Sequence, residues 1–303
     1  MRRLLLLLAS TAAILTAAPL AAQTSATASA PTKVTSVGNS DIVVQGSREE
    51  LRVQLRQILD TSDGQLARFE SAFCPKVIGF PKDWTGHLEK MIRANAADAG
   101  LKVEPVGCRP TAMVIFIDDP QRLVIELRKA MPGLFDGYTT RELDLMTAVK
   151  RPAYGWRTVE MMDKNGLVLS SVSQINGEAS NARIVRNANS SRVTSNVRYD
   201  ILTSFAAIEI GKAPGHTLRQ LADYATMNLM LDLSRDAARK APPESILAMF
   251  EAATPEAAPQ QMSAMDKGSL RGLYAQKNNN VSAAVQRGRI AKAMKEGAAG
   301  KVD

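Results

Sequence analysis

The chain is poor in the side chains that most often carry enzyme chemistry. Among 303 residues it has 2 cysteines, 2 histidines and 5% aromatic residues. Catalysis that depends on histidine therefore has few routes, and a zinc site built from cysteine and histidine lacks most of its ligands. The scarce aromatics, with basic residues interspersed among acidic ones, argue against the stacking surface of a single-strand nucleic-acid binder. We predict no nucleic-acid partner.

Familiar catalytic motifs are also missing. The sequence contains no Gly-x-Ser-x-Gly elbow, no phosphate-binding loop, no Gly-x-Gly-x-x-Gly turn after a strand and no Ser-x-x-Lys arrangement with its supporting motifs. We predict no cofactor and no metal site. Chemistry based on carboxylates is the enzymatic route that remains open, because Asp and Glu are too common for their presence or spacing to exclude it.

The N-terminus has the layout of a secretory signal peptide. Arg2 and Arg3 give a charged start, a leucine- and alanine-rich run follows, and Pro19-Leu20-Ala21-Ala22 ends it with small residues. The run is short for a membrane span, which favours export over anchoring. Leu20 is larger than the residue preferred at that distance from a cut after Ala22, so an uncleaved anchor is the alternative. We predict a signal peptide at 1–22 and a periplasmic or secreted mature chain.

The two cysteines, Cys74 and Cys108, are predicted to form a disulfide, because thiols of exported chains become oxidised. Each precedes an apolar run, so the bridge would tie two strand ends across the helix between them. A reactive thiol and a metal site are the alternatives, but there is no Cys-x-x-Cys pair and His87 is the only histidine between the cysteines. The chain-entropy model gives a loop of this length about 3.5 to 4 kcal/mol, as an upper guide.

Composition divides the rest of the chain into a leader, a globular region and a tail. Residues 23–40 are rich in Ser, Thr and Ala without apolar periodicity, which predicts a flexible leader. Residues 41–296 are long enough for a single α+β domain with its own core. A division near residue 151 is the alternative, because the pattern there changes from mixed to strand-like. Residues 297–303 are predicted to be a disordered tail.

The first part of the globular region alternates strands and helices. Short apolar runs predict strands and longer periodic ones predict helices. We predict an edge strand at 41–46, a packing helix at 48–67, a strand at 77–80, a helix capped by Pro81-Lys82-Asp83, strands at 101–106 and 113–117, a helix at 121–131, and a further helix that Thr139 and Glu142 start as a capping box.

The second part changes character at about residue 154. Strand-like runs at 156–162, 167–175, 182–185, 193–197 and 201–210, separated by turn signals, predict an antiparallel meander. Thr217 and Gln220 have capping-box spacing ahead of a long apolar helix, which we expect to be buried in the centre. Further helices are predicted at 244–252, 266–274 and 283–296.

Several segments between residues 73 and 294 resemble a group of uncharacterised exported proteins of Gram-negative bacteria. The resemblance rests on Phe73-Cys74-Pro75-Lys76-Val77-Ile78-Gly79, Gly107-Cys108-Arg109-Pro110, Ile117-Asp118-Asp119, Gln220-Leu221-Ala222-Asp223-Tyr224-Ala225-Thr226-Met227 and Leu270-Arg271-Gly272-Leu273-Tyr274. It implies export and one globular unit, and it names no catalytic residue.

Two aspartates at the end of the buried strand are the first candidate site residues. Asp118 and Asp119 lie where open α/β sheets place ligands, and a carboxylate pair there suits a divalent cation. The alternative is structural. Asp119 before Pro120 is a good helix cap, and Asp118 then faces solvent or Arg122.

The long helix supplies the other candidates. Asp223 and Tyr224 are polar residues on an otherwise apolar helix, and a hydrogen bond from Tyr224 into the core would explain them equally well. His216 precedes that helix, a layout similar to that of zinc peptidases. The helix lacks the second histidine and the glutamate base that such a site requires.

The C-terminal helix is basic on one side. Arg287, Arg289, Lys292 and Lys295 oppose an apolar side formed by Val285, Ile290, Ala291 and Met294. Such a helix either lies on an anionic envelope component or packs its apolar side on the domain. We predict the packing as the commoner outcome, with weak envelope association as the alternative.

Two functions follow from these observations. The first is a non-enzymatic periplasmic or secreted protein that binds a ligand or associates with the envelope. The alternative is a hydrolase with a carboxylate site, metal-dependent or not, at Asp118, Asp119 and Asp223. In the enzyme these three side chains converge in one open pocket; in the binding protein they are scattered, capped or paired with arginine.

Overall fold

A mixed sheet lies between two layers of helices in the computed structural model, which describes residues 47–175, 178–185, 191, 194–277 and 279–299. In chain order its elements are α1 (Arg48–Ile58), β1 (Pro75–Ile78), α2 (Lys82–Asp98), β2 (Ala112–Ile117), α3 (Pro120–Ala130), α4 (Thr140–Thr147), β3 (Ala153–Asp163), β4 (Ser170–Ile175), β5 (Glu178–Ile184), β6 (Val197–Glu209), α5 (Leu218–Met230), α6 (Ala237–Lys240), α7 (Ala264–Tyr274) and α8 (Ala283–Ala299). Single 3-10 segments lie at Pro132–Phe135, Ile210–Lys212 and Ile246–Glu251. The α+β class is confirmed, and these residues belong to one compact unit.

The main sheet has the strand order β1-β2-β6-β3. β1 and β2 are parallel, β2 and β6 are parallel, and β3 is antiparallel to β6. The strand-helix-strand start is therefore present as β1-α2-β2. Because β6 joins β2 from far along the chain, the first and second parts of the globular region share one sheet.

The two faces of this sheet are covered by different helices, and alternate residues of the central strands contact them. Val114 and Ile208 face the larger core with α2 and α5, whereas Phe205 and Ala207 face a smaller core that includes Val124 of α3. The continuous apolar run of β2 is explained by this arrangement, since a strand covered on both faces is apolar on both.

The helix starts follow local sequence signals. The capping boxes predicted at Thr139 with Glu142 and at Thr217 with Gln220 are both formed. α5 is buried along its length from Gln220 to Met230, as its apolar composition predicted. Pro81, by contrast, lies at the N-cap of α2 without a side-chain hydrogen bond, because proline carries no acceptor there.

Glycine is required where β1 turns toward α2. Gly79 has φ +74°, and a Cβ atom there would lie 1.9 Å from the carbonyl oxygen of Phe116. A side chain is excluded at this position both by the left-handed backbone and by the neighbouring strand. The turn therefore brings the end of β1 directly against the end of β2.

The predicted antiparallel strands are present, but they form two separate pairs rather than one meander. β3 pairs with β6, whereas β4 and β5 form a separate two-stranded sheet. The large side chains Trp156 and Phe205 stack with ring centroids 5.0 Å apart across the first pair. β4 and β5 are rich in Ser, Gln and Asn and lack such anchors, so they do not extend the main sheet.

Some predicted boundaries are wrong for local reasons. α1 ends at Ile58 rather than at 67, because Leu59 is extended and forms a bridge to Leu233. The predicted strand at 101–106 is reduced to one bridge between Phe73 and Val103, and Pro105 has no N–H to extend it. The predicted helix at 244–252 is a 3-10 segment. The predicted strand at 41–46 and part of the one at 193–197 lie outside the described residues.

The disulfide between Cys74 and Cys108 is formed, with the two Cα atoms 6.1 Å apart. It joins the start of β1 to the loop before β2 across α2, as predicted. In the same place Arg93 of α2 donates a hydrogen bond to the backbone oxygen of Glu104. The bridge thus closes the β1-α2-β2 unit. Such a bond is compatible with an oxidising compartment.

The C-terminal helix packs its apolar side on the domain. Ile290, Ala291 and Met294 are buried, and α8 contacts α7 and α1. Contact with an anionic envelope component would therefore rest on the basic residues alone. Within the described residues, no helix combines the length and hydropathy that a membrane span needs.

Candidate functional site

A cleft of about 530 Å³ lies beyond the C-terminal end of α5. Its walls come from residues 138–157, 224–240 and 247–251, with Asp60 at one side. We call it the Arg157 cleft. Its volume lies within the usual range for small-molecule sites, roughly 300–1,000 Å³. The geometry of this cleft is the strongest guide to function in the described part of the chain.

A buried ion pair forms the floor of the Arg157 cleft. Arg157 Nε lies 3.4 Å from Asp232 Oδ1, with the two side chains 2% and 12% exposed. Arg157 also donates a hydrogen bond to the backbone oxygen of Leu231. β3 thus supplies the arginine, and the segment after α5 supplies both its counter-ion and the backbone oxygen that accepts its hydrogen bond.

The side of the cleft around Asp232 is acidic. Burial raises the pKa of the Asp232 carboxyl, Arg157 opposes this shift, and the charges of Asp60 and Glu142 add to it. Burial also raises the pKa of the nearby Tyr138 hydroxyl. Across the described residues, no group of three or more His, Cys, Asp or Glu side chains is arranged to hold a metal ion.

The opposite side of the cleft is basic. Asp236 accepts hydrogen bonds from Arg239 and, at 3.5 Å, from Arg235. The hydrogen bond from Arg239 holds the pKa of Asp236 below its usual range. Arg151 lies close to this group and is half-buried. The cleft therefore contains an acidic group around Asp232 and a predominantly basic group around Asp236.

Aromatic side chains line the wall between these charged groups. Tyr224 and Phe250 meet edge to face, with ring centroids 4.9 Å apart. Tyr154 Oη donates to the carbonyl oxygen of Val149 at 2.9 Å and accepts from the N–H of Arg151 at 3.1 Å. Tyr154 thereby fixes the backbone that carries Arg151. The cleft offers an apolar surface next to fixed charges.

Asp118 and Asp119 lie outside the Arg157 cleft. Asp119 Oδ1 accepts a hydrogen bond from the N–H of Arg122 at 3.0 Å and so caps α3. Asp118 is exposed. The Arg122 side chain pairs with Glu126 at 2.7 Å rather than with Asp118. Neither aspartate lines the Arg157 cleft.

Asp223 is fully buried and holds three parts of the fold together. Its carboxylate accepts hydrogen bonds from Asn95 Nδ2 at 2.8 Å, from the N–H of Met262 at 2.7 Å and from Arg219 Nε at 3.1 Å. These contacts join α2, α5 and the segment before α7. Asp223 does not line the Arg157 cleft either, so none of the three predicted carboxylates lies in this cleft.

His216 lies at a second, apolar groove of about 440 Å³, whose lining includes Phe80, Trp84 and Leu218. Its ring meets Phe250 edge to face at 5.3 Å. Neither ring nitrogen has a hydrogen-bond partner among the described residues. No carboxylate lines this groove. The surroundings of His216 are thus unlike those of a zinc-binding or general-base histidine.

The residues that form the Arg157 cleft were not predicted from the sequence. A signal for Arg157 was present, since an arginine next to Trp156 interrupts an apolar strand. Asp232 was similarly visible as a carboxylate directly after the buried helix α5. Nothing local indicated that these two residues, 75 positions apart in the numbering of the chain, would meet.

Comparison with protein-family models, with curated proteins and with solved structures finds no match for this chain. The function is therefore argued from the geometry of the Arg157 cleft and from the chemistry of its lining.

Proposed function

We propose that the chain is an exported, non-enzymatic binding protein that takes up a small molecule in the Arg157 cleft. The observation that carries this proposal is the cleft itself, in which a fixed ion pair and an aromatic wall surround about 530 Å³ of open volume. Clefts with a few fixed polar groups among apolar side chains are the usual form of a ligand site. The resemblance to exported proteins of Gram-negative bacteria accords with this proposal.

Export is supported by two features. The N-terminus has the charged start, apolar run and small-residue end of a secretory signal. The disulfide between Cys74 and Cys108 is the kind of bond that persists in an oxidising compartment. The mature chain is accordingly proposed to work in the periplasm or outside the cell.

Binding is favoured over catalysis by the state of the carboxylates. Asp232 is paired with Arg157, and Asp236 is engaged by Arg239 and Arg235. A carboxylate such as Asp236, whose pKa is lowered by its arginines, is a poor proton acceptor and a poor nucleophile, because its ionised form is stabilised in its resting place. Such groups orient a ligand well.

The test is ligand-observed NMR of the exported chain with a library of small molecules of varied charge. Ala238 lines the Arg157 cleft, and Ala238→Trp should fill it and abolish binding. Ala284 is exposed on α8 outside the cleft, so Ala284→Trp is the matched control and should leave binding unchanged. Library members that bind both variants equally, or a library without any binder, would refute the proposal.

A carboxylate hydrolase is the second candidate, and it now rests on different residues from those that the sequence singled out. Asp232 has a raised pKa in the Arg157 cleft, and the charges of Asp60 and Glu142 contribute to the shift. A carboxyl that keeps its proton is suited to act as a general acid. Purified protein should then hydrolyse a glycoside or ester substrate, and Asp232→Asn should abolish this activity while Asp118→Asn leaves it intact. Equal activity of the two variants would exclude Asp232 as the acid.

A further inference from the structure

We propose that the ligand of the Arg157 cleft is a small organic anion and that Arg151 anchors its charged group. This inference rests on the proposed binding function and names the chemical class of the ligand. It is carried by an arginine that lines the cleft among other cations and whose guanidinium makes no ion pair with any described residue.

The guanidinium of Arg151 has no hydrogen bond or ion pair to any described residue, although its backbone is held in place. The backbone N–H of Arg151 donates a hydrogen bond to Tyr154 Oη at 3.1 Å. Arg151 follows Val149 and Lys150, which also line the cleft. The side chain is half-buried. A guanidinium has five N–H donors, and a partly desolvated one gains strongly from a planar anionic acceptor.

The neighbours of Arg151 make the local charge positive. Burial lowers the pKa of Arg151, repulsion by Arg235 and Arg239 adds to this shift, and the charge of Asp236 opposes it. Asp236 makes its ion pairs with Arg239 and Arg235, however, and not with Arg151. Lys150, Lys240 and Glu251 also line the cleft. This group therefore has five cationic side chains and two carboxylates, and Asp236 compensates the charge of Arg151 only in part.

An anion at this position would remove the repulsion and supply the missing acceptor. The acidic group of Asp60, Glu142 and Asp232 also lines the cleft and disfavours a second anionic group on the ligand. Tyr154, Tyr224 and Phe250 form the aromatic wall of the same cleft. The cleft therefore suits a molecule with one anionic end and an apolar or aromatic body. Carboxylates and phosphate monoesters share this chemistry.

Isothermal titration calorimetry with three simple probes tests the proposal. Benzoate and phenyl phosphate carry the two kinds of anion on the same ring, and benzyl alcohol is their neutral counterpart. We expect at least one anionic probe to bind and benzyl alcohol to bind at least about ten-fold more weakly, as charge-assisted hydrogen bonds to arginine require. A preference between benzoate and phenyl phosphate would identify which anion the site takes.

Two variants separate Arg151 from a general effect of positive charge. Arg151→Gln should raise the Kd of the anionic probe by about ten-fold or more. Arg109 is an exposed arginine that does not line the cleft, so Arg109→Gln, which removes the same charge, should leave the Kd within about two-fold. Equal effects of the two substitutions would overturn the assignment of Arg151.

The outcomes also distinguish this inference from the proposed function. Neutral molecules that bind as tightly as the anions, and that Ala238→Trp displaces, would overturn the anionic ligand while leaving the binding function in place. If none of the three probes binds, the anionic ligand is overturned as well. The binding function would still be tested by the wider library of small molecules. Inorganic phosphate binding as tightly as phenyl phosphate would contradict the role of the aromatic wall.

Discussion

Replacing Gly272 by alanine should force α7 away from α8. A Cβ atom at Gly272 would lie 2.8 Å from Ile290 Cα and 3.1 Å from Ala293 Cβ. Carbon atoms in contact normally stand about 3.5–4.0 Å apart, so the two helices would have to separate by several tenths of an ångström. Overpacking of this kind costs about 1–3 kcal/mol. The contact lies against the buried face of α8, where Ile290 is fully buried.

A second helical glycine provides the matched control. Gly86 lies in α2, is exposed, and has no atom within 4 Å of an added Cβ. Alanine stabilises a helix interior relative to glycine by roughly 0.5–1 kcal/mol, and this gain applies to both positions. Gly86→Ala should therefore raise the free energy of unfolding. The free energy of unfolding of Gly272→Ala should lie below that of Gly86→Ala by about 1–3 kcal/mol, which is the cost of the contact alone.

Urea unfolding followed by tryptophan fluorescence measures the difference, in buffer that keeps the disulfide intact. Trp156 is fully buried and stacked between Phe135 and Phe205, so its emission should report loss of the core. Equal free energies of unfolding for the two variants would refute the close approach of α7 and α8.

Three further predictions follow from buried groups. Replacing Cys74 and Cys108 together by alanine should lower the free energy of unfolding by up to about 4 kcal/mol, because their separation of 34 residues sets the loop entropy; an unchanged urea midpoint in non-reducing buffer would contradict this. Asp223→Ala should cost about 1–3 kcal/mol by the same assay, since it leaves the buried N–H of Met262 without its acceptor and removes one acceptor each from Asn95 and the partly exposed Arg219; an unchanged free energy of unfolding would argue against the network. Burial raises the pKa of Asp200, whose Oδ1 has no hydrogen-bond partner among the described residues. Between the ordinary aspartate pKa of about 3.9 and the raised value, the folded state holds a proton that the unfolded chain has released. The stability from this group should therefore fall as pH rises through that window, and Asp200→Asn should flatten this part of the melting-temperature profile; an identical slope in the variant would refute the assignment.

Local signals were sufficient for much of the fold. The helix starts at Thr139 and Thr217 depend on residues three positions apart, and the buried run of β2 depends on six consecutive residues. The prediction of the disulfide needed only two cysteines and a predicted export signal. Each of these features is visible without knowledge of distant contacts.

The candidate site could not be found in this way. Asp223 looked like a site residue because a carboxylate in an apolar helix is unusual, yet its partners on α2 and before α7 give it a structural role. The pairing of β3 with β6 brings Arg157 into the centre of the molecule, and no turn signal between the two strands indicated that they are neighbours. β4 and β5 lie between them in sequence and form a separate sheet.

The sequence by itself determined the elements, the caps, the bridge between Cys74 and Cys108 and the class of fold, because each depends on short-range periodicity or on residue type. Only the tertiary structure decided which strands pair and which charges meet. The Arg157 cleft joins segments from Asp60 to Glu251, and the contact of Arg157 with Asp232 arises from packing between distant parts of the chain. Such contacts have no period along the sequence, so the candidate site is visible only in the folded structure.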